Sequence, residues 1–287
     1  MGKNSQIKGR KGLEEKKERL LGLLGGVDRA LVAFSGGLDS SLLLAMAKEA
    51  LGERVVAATA SSPIHPKREL NSAAQFCVKL GVRHIVFESG ELALERFLEN
   101  PPDRCYWCKQ AMLTQLKEIA ENEALGPVLH GLNRDDLSDY RPGNRAAREL
   151  SVRAPLLEAG LGKREVRALA RSIGLSVWDK PSSGCLATRI PYGQRITPGK
   201  LGMVEQAEEF LLERGFGEVR VRHHGELARV EVARDAIARL VEPGFGQELV
   251  GHFRGLGFIY VALDLEGFQS GKMNRSISKE RQEIEAQ

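Results

Sequence analysis

The chain has 287 residues, of which 42% are hydrophobic and 28% are charged, and its formal net charge is +4. These values are typical of an ordinary soluble globular protein with one large domain or two. The mild charge suits an anionic small ligand as well as nucleic acid and does not choose between them. Residues 1–17 are polar and basic without an apolar segment, so neither a secretory signal nor a membrane span is indicated, and a cytoplasmic location is expected.

The first half of the chain alternates apolar strands with helical stretches, as βαβ units around a parallel sheet require. Residues 3–17 are either an arm that attracts RNA or, as we favour, a lead-in to a helix near 13–24. Strands are predicted at 29–35, 54–61, 83–88, 127–131 and 152–157, and helices at 39–50, 66–80, 91–98 and 105–124. Right-handed crossovers place the first strand centrally, with its carboxyl end at the ligand-binding edge of the sheet.

The second half is predicted to form a smaller α+β unit. A helix runs from Gly162 to Ile173, and a long Pro- and Gly-punctuated stretch then predicts an ordered active-site loop. The remaining elements are a helix at 198–214, a hairpin of 218–223 with 227–233, a helix at 234–242 and a strand at 257–264. The predicted units are therefore 1–28 (N-terminal helix), 29–175 (α/β domain), 176–197 (loop) and 198–287 (α+β domain with a polar tail).

A glycine-rich turn follows the first strand and precedes a helix, in the sequence Ser-Gly-Gly-Leu-Asp-Ser-Ser at 35–41. Glycines let consecutive N–H groups converge on one point, and the next helix directs the positive end of its dipole there. No G-x-x-x-x-G-K-[ST] stretch occurs, so a Walker-type loop is not supported. A plain turn in which Asp39 or Ser40 caps the helix is the alternative; the order of strand, loop and helix favours nucleotide binding.

This turn resembles the loop of the PP-loop ATP pyrophosphatase superfamily. The resemblance implies that ATP is cleaved between its α and β phosphates, with pyrophosphate on the loop backbone, hydroxyl donors after it and a carboxylate that helps to hold Mg²⁺. The residues in these roles are, in that order, Ser35, Gly36 and Gly37; Ser40 and Ser41; and Asp39.

The four cysteines of a cytoplasmic protein do not indicate a disulfide framework. Cys105 and Cys108 form a C-x-x-C at the start of a predicted helix, so both sulfurs share one face and the helix N-terminus is expected to lower their pKa. Such thiolates bind iron or zinc; a redox pair and an inert pair are the alternatives. Cys185 lies in a polar, Arg-containing segment and is expected to be accessible and activated, whereas Cys77 is expected to be buried.

Two further segments carry candidate ligand contacts. Four polar residues follow the strand at 127–131 and are expected to position Mg²⁺ or nucleotide at the edge of the sheet, or to form an Asx turn that caps the next helix; they are Asn133, Asp135, Asp136 and Asp139. Arg220 and Arg222 lie two apart on a strand and can grip a phosphate, with Arg189 from the cysteine loop, unless they only form an exposed charged face. Glu231 on the paired strand either neutralises an arginine or contacts the ligand.

Together with the glycine-rich turn, three segments resemble the LarE family over about residues 13–270. They are C-L-A-T-R-I-P-Y-G at 185–193, G-L-N-R-D-D-L-S-D-Y-R-P-G at 131–143 and V-R-V-R-H-H-G at 219–225. Members are sulfur transferases that help to build the nickel-pincer nucleotide cofactor of lactate racemase. The resemblance implies a PP-loop sheet flanked by helices, with a C-terminal domain for substrate or oligomerisation. It also implies a homo-oligomer and possible contacts with other nickel-pincer biosynthesis proteins.

The implied reaction adenylylates a carboxylate of pyridinium-3,5-biscarboxylic acid mononucleotide with ATP and then replaces AMP by sulfur, with the arginines on the 5′-phosphate. In single-cysteine members, the cysteine at the position of Cys185 gives up its own sulfur. This chain is similar to the three-cysteine members, whose thiolates hold a [4Fe-4S] cluster; here these would be Cys105, Cys108 and Cys185. The rival functions are a tRNA thiolase, an ammonia-dependent ligase and an inactive nucleotide sensor.

Overall fold

A computed structural model describes residues 2–137, 142–181, 184–269 and 271–277. The predicted ligand residue Asp139 and the polar tail from residue 278 lie outside these ranges. The strands are β1 (Ala30–Ala33), β2 (Val55–Ser61), β3 (Arg83–Glu88), β4 (Val128–His130), β5 (Val219–His224), β6 (Leu227–Val232) and β7 (Tyr260–Leu263). No helix in the described part of the chain is long and apolar enough to cross a membrane.

Eleven α-helices occur in the described ranges, with short 3₁₀ turns between some of them. The helices are α1 (Gly2–Gly25), α2 (Leu38–Leu51), α3 (Lys67–Leu80), α4 (Glu95–Leu98), α5 (Arg104–Asn122), α6 (Gly143–Glu149), α7 (Pro155–Glu158), α8 (Lys163–Ser172), α9 (Pro198–Glu213), α10 (Ile237–Leu240) and α11 (Pro243–Gly255).

The first sheet has four parallel strands in the order β3-β2-β1-β4. Within β1, Val32 pairs with Ala57 on one side and with Leu129 on the other. Helices cover both faces of the sheet, and the apolar sequence of β1 fits a strand that is buried on both faces. The predicted fold class and the central place of the first strand are confirmed.

The fifth predicted strand of this sheet, at 152–157, is wrong. Only an isolated bridge joins Leu129 to Arg153, and α7 begins two residues later. Pro155 is the first residue of α7, and its fixed φ and missing N–H suit a helix start and not a ladder. The sheet therefore ends at β4.

The second sheet is mixed, because β5 and β6 are antiparallel whereas β6 and β7 are parallel. Its core packs against α9 and α11 through residues such as Phe210 and Phe253. Sequence patterns did not predict α11, whose first turn contains Gly244 and Gly246, residues of low helix propensity. The helix predicted at 234–242 is a 3₁₀ turn followed by the four residues of α10.

The described residues of the cysteine loop (176–197) pack against elements from both halves of the chain. Its residues Leu186 and Ile190 are buried in a small core with Phe97 of α4 and with α9. The side chain of Asn100 donates hydrogen bonds to three loop carbonyls, those of Ile190, Pro191 and Gln194. Residues 186–194 of the loop are thus held by both apolar packing and hydrogen bonds.

Gly131 lets the end of β4 approach the start of α2. A Cβ atom added there would lie 2.8 Å from the backbone nitrogen of Ser40 and 3.0 Å from the carbonyl carbon of Asp39. Both contacts are with backbone, which cannot move aside by changing a rotamer. The close approach brings the segment after β4 to the glycine-rich turn.

We expect Gly131→Ala to destabilise the protein by about 1–3 kcal/mol, because the added methyl group must displace the first turn of α2. Urea unfolding measures the change. The control is Gly251→Ala in the exposed part of α11, where nothing lies within 4 Å of the added atom; it should be neutral or stabilising by up to about 1 kcal/mol. Equal stability of Gly131→Ala and wild type would contradict the close packing.

Candidate active site

The turn after β1 is fixed by its own hydroxyl groups. The hydroxyl of Ser40 donates to the carbonyl of Gly37 at 3.1 Å, and the backbone N–H of Ser35 donates to that hydroxyl at 3.3 Å. Gly36 has a φ of 68°, which favours glycine. Ser41 is fully buried, whereas Ser40 borders the cleft. The turn is therefore preorganised at the N-terminus of α2, where an anion is stabilised.

A polar network centred on Asp39 joins this turn to the segment after β4. The amide of Asn133 donates to one carboxylate oxygen of Asp39 at 3.0 Å, and Lys163 forms an ion pair with the other. Asp135 accepts the backbone N–H of Lys163, the first residue of α8, at 2.8 Å. Asp136 accepts the backbone N–H of Asn133 at 3.1 Å. Asp135 thus caps α8, as the alternative of a helix-capping Asx turn predicted. Asn133 instead contacts Asp39, the predicted Mg²⁺ ligand.

One cleft of about 450 Å³ joins the glycine-rich turn to the cysteine loop. Its lining includes Ser35, Gly37, Asp39 and Ser40 at one end and Gly184 and Cys185 at the other. Four cations that the sequence did not single out also line it: Lys109, Lys163, Arg167 and Lys180. Three carboxylates, those of Asp39, Glu69 and Asp136, line it as well, and two of them pair with Lys163 and Lys180.

Lys180 shows how the loop meets the glycine-rich turn. Its ammonium group donates to the carbonyl of Gly36 at 3.0 Å and pairs with Glu69 at 2.7 Å. A lysine at the start of a loop carries no sequence signal for this contact. Lys163 had a weak signal, because it begins a predicted helix at the edge of the sheet.

The cysteines differ in environment. Cys105 is exposed, Cys108 and Cys185 are half-buried, and Cys77 is fully buried. Burial raises the pKa of the Cys77 thiol to about 12, which confirms the expectation of a buried, unreactive residue.

The prediction of a lowered pKa is wrong for Cys108. Burial, followed by the negative charges of Cys185, Glu91 and Cys105, raises the pKa of this thiol. These effects outweigh the dipole at the start of α5. The same interactions place the thiols of Cys105 and Cys185 within electrostatic range of Cys108.

The chemistry of the three thiols fits an iron-sulfur cluster, since thiolates are its usual ligands. In the residues that the structure describes, no three Cys, His, Asp or Glu side chains are already arranged to hold a metal ion. A buried cation lies beside the thiols: Arg104 is 2% exposed and interacts electrostatically with Cys105 and Cys185. Its charge suits an anionic sulfur group at this place.

Arg189 is built into the loop and does not point to open space. Its guanidinium group forms a bidentate pair with Glu208 at 2.8 and 3.0 Å, and both side chains are at most 1% exposed. It also donates to the carbonyl of Cys185 at 3.0 Å and to the hydroxyl of Thr188 at 2.8 Å. This geometry suits holding the loop better than gripping a phosphate.

The strand arginines have different environments. Arg222 pairs with Glu231 at 2.8 and 3.0 Å and donates to the carbonyl of Thr188 at 2.8 Å, so Glu231 neutralises an arginine. Arg220 is half-buried and stacks on Phe268 with 4.8 Å to the ring centroid. Burial, with the positive charges of Arg189 and Arg222, lowers the pKa of Arg220 to about 10. Three arginines therefore lie near one another here, and Glu208 and Glu231 neutralise two of them.

Comparison with known proteins assigns the family. A pyridinium-3,5-bisthiocarboxylic acid mononucleotide synthase of Lactiplantibacillus plantarum is 37% identical over 93% of this chain and 96% of its own length. The chain belongs to the LarE family. An uncharacterised protein of Synechocystis is 43% identical over 93% of this chain and 100% of its own length. The resemblance predicted from the motifs is confirmed, and the chain is an ATP-utilising sulfur-transferase enzyme of this family.

More distant matches define the PP-loop context of the LarE family. A family model described as queuosine biosynthesis protein QueC matches residues 29–96, which include the glycine-rich turn. A tRNA-specific 2-thiouridylase MnmA of Rhodospirillum centenum is 28% identical over 69% of this chain and 59% of its own length. These matches support use of ATP at the turn.

We expect His130 to make stability depend on pH. It is 5% exposed at the floor of the cleft, and burial, together with the charge of Lys109, lowers its pKa from 6.5 to about 3. The folded protein keeps this ring neutral while the unfolded chain protonates it below pH 6.5. His130 therefore does not lower the free energy of unfolding above pH 6.5. Between pH 6.5 and pH 3, its protonation in the unfolded chain lowers the free energy of unfolding by about 1.4 kcal/mol per pH unit.

Urea unfolding of wild type and His130→Gln at intervals between pH 7 and pH 4 measures this dependence. The variant should lose less stability than wild type as the pH falls through this window. Parallel curves would show that His130 is not kept neutral by the fold.

Proposed function

We propose that this protein adenylylates a carboxylate of pyridinium-3,5-biscarboxylic acid mononucleotide with ATP and then inserts sulfur to give a thiocarboxylate. The observation that carries the proposal is the single cleft that links the glycine-rich turn to Cys185. ATP must activate the carboxylate that the sulfur later attacks, so both groups must reach the same substrate. This cleft offers one space for both. The name of the Lactiplantibacillus relative, a synthase of pyridinium-3,5-bisthiocarboxylic acid mononucleotide, supports the choice of acceptor.

The ATP half of the reaction uses the turn and its cations. Pyrophosphate would lie on the backbone at Gly36 and Gly37, at the positive end of α2. Asp39 supplies a carboxylate for Mg²⁺, which needs few protein ligands when phosphates supply the rest. Lys163 and Lys180, which already contact this network and the turn, would neutralise charge that develops on the leaving group.

Adenylylation is chemically necessary because a carboxylate is a poor electrophile. Transfer of AMP to one carboxylate oxygen forms an acyl phosphate bond and releases pyrophosphate. A sulfur nucleophile then attacks the acyl carbon, and AMP departs with the electron pair of the broken C–O bond. The four cleft cations favour the charge on AMP as it leaves.

Arg220 would bind the phosphate of the mononucleotide. Burial and the positive charges of Arg189 and Arg222 lower the pKa of Arg220, and a phosphate bound there would favour its charged form. Glu208 and Glu231 already neutralise Arg189 and Arg222, so these two arginines would orient the loop and the strand around the phosphate.

We propose that the sulfur is carried on a [4Fe-4S] cluster held by Cys105, Cys108 and Cys185. A cluster with three protein ligands leaves one iron free to bind a sulfide, and the chain is then not consumed. Electrostatic coupling of the three thiols and the buried charge of Arg104 support this route. The alternative is that Cys185 donates its own sulfur once and becomes dehydroalanine.

The first test compares acceptors. Purified protein, reconstituted with iron under anaerobic conditions, should release AMP and pyrophosphate from ATP when pyridinium biscarboxylic acid mononucleotide is added, and not when unmodified tRNA is added. Asp39→Asn should lower this rate at least about tenfold, because it removes charge from the Mg²⁺ site. The control Asp28→Asn changes a carboxylate that is 87% exposed on the surface and should be neutral.

Stimulation by tRNA would replace the proposal with a tRNA thiolase, a function that the distant MnmA relative makes worth testing. Absence of pyrophosphate release with every acceptor would favour a nucleotide sensor.

The second test addresses the sulfur source. Cys105→Ala should lose most of the bound iron and make no more than one product per chain, because a cluster ligand is missing. Cys77→Ala removes a buried thiol outside the cleft and should keep both iron and multiple turnover. Iron analysis, product counting and intact mass measure these outcomes. Multiple turnover by Cys105→Ala would sink the cluster route, and loss of one H₂S from the chain mass would establish sacrifice of Cys185.

A further inference from the structure

Arg104 is a buried cation that forms no ion pair with a carboxylate of the described residues. It begins α5, directly before Cys105, and only 2% of it is exposed. Its Nε and Nη1 atoms have no hydrogen-bond partner in the part of the chain that the structure describes. Its guanidinium group lies over the ring of Tyr192 at 4.6 Å, and Nη2 contacts the sulfur of Met273 at 3.8 Å.

Other buried arginines show what Arg104 lacks. Arg189 forms a bidentate pair with Glu208, and Arg222 forms one with Glu231. Within the described ranges, Arg104 has no ion pair of this kind, although it is as buried as the other two. A buried guanidinium with two unused donors is costly unless an anion completes it. The fold therefore leaves a place for an anion beside Arg104.

The chemistry of that anion follows from the neighbours. The charge of Arg104 interacts with the thiols of Cys105 and Cys185 and with Tyr192. An aromatic ring, two thiols and a thioether form a soft surrounding, which suits sulfur better than a phosphate or carboxylate. A cation in this surrounding stabilises negative charge on sulfur.

We propose that Arg104 binds the transferable sulfide, with Nε–H and Nη1–H donating to that sulfur atom beside the cysteine cluster. This role rests on the proposed function, since it concerns the sulfur that the cleft delivers. Arg104 holds the sulfide and offsets its charge, and no bond to Arg104 forms or breaks. Met273 and Tyr192 keep the guanidinium group in place.

The test measures sulfide binding directly. Iron-reconstituted protein is titrated with sodium sulfide under anaerobic conditions, and the iron and acid-labile sulfide that remain after desalting are counted. Arg104→Gln should weaken sulfide binding by about tenfold or more, the size expected for loss of a charge-assisted hydrogen bond. Arg104→Lys keeps the charge but loses the planar guanidinium group with its forked N–H donors. The sulfide affinity of this variant should lie between those of wild type and Arg104→Gln.

The matched control is Arg96→Gln. Arg96 also stacks on an aromatic ring, that of Trp107 at 4.8 Å, but is exposed. It should retain wild-type sulfide affinity, and circular dichroism checks that each variant is folded. Should Arg104→Gln not fold, Arg104→Lys decides, because unchanged affinity in that variant would refute a role for the fork.

Three results would overturn the inference: wild-type affinity in Arg104→Gln, an equal loss in Arg96→Gln, or no sulfide retained by the wild type beyond the cluster's own one sulfide per iron. Pyrophosphate release by the wild type with the mononucleotide is measured in parallel. Release without sulfide retention would reject the role of Arg104 while the acceptor assignment stands.

Discussion

The buried pair of Arg189 and Glu208 ties the cysteine loop to the second sheet. Glu208 lies on α9, and the same carboxylate accepts the backbone N–H of Val221 on β5 at 3.0 Å. Arg189 in turn holds the carbonyl of Cys185. Removal of one member of a buried pair costs about 3–5 kcal/mol, because the other charge is left without a partner. The position of Cys185 therefore depends on a contact between a buried arginine and a buried carboxylate.

A second constraint acts at the other end of the cleft. The close approach at Gly131 lets Asn133 reach Asp39, and Asp39 in turn pairs with Lys163 at the start of α8. Three segments that are distant in sequence thus share one carboxylate. Binding of Mg²⁺ and phosphates would replace contacts that the protein already makes, which keeps the reorganisation of the site small.

The lining of the cleft combines charged side chains with a buried neutral one. Four cations line the cleft, whereas His130, which also lines it, is held neutral by burial. Near the cysteines, Arg104 provides positive charge beside half-buried sulfur, and Cys108 stays protonated more readily than a free thiol because its charged form is poorly solvated. Ligation by a metal ion would supply the stabilisation of the thiolate that the helix N-terminus alone does not provide.

The sequence by itself determined the parallel sheet, the central first strand and the glycine-rich turn between strand and helix, because these depend on local patterns: apolar runs, glycines and the order of strand, turn and helix. Its motifs also indicated the family. It failed where a local pattern was ambiguous, as at the apolar 152–157 segment, or where helix propensity was low, as in α11.

Only the tertiary structure decided the charge environment of each side chain. The pairing of Arg189 with Glu208, the place of Lys163 and Lys180 and the burial of Arg104 depend on neighbours far away in the chain. Burial and Coulomb interactions are set by distances in space, and spacing along the sequence does not encode them.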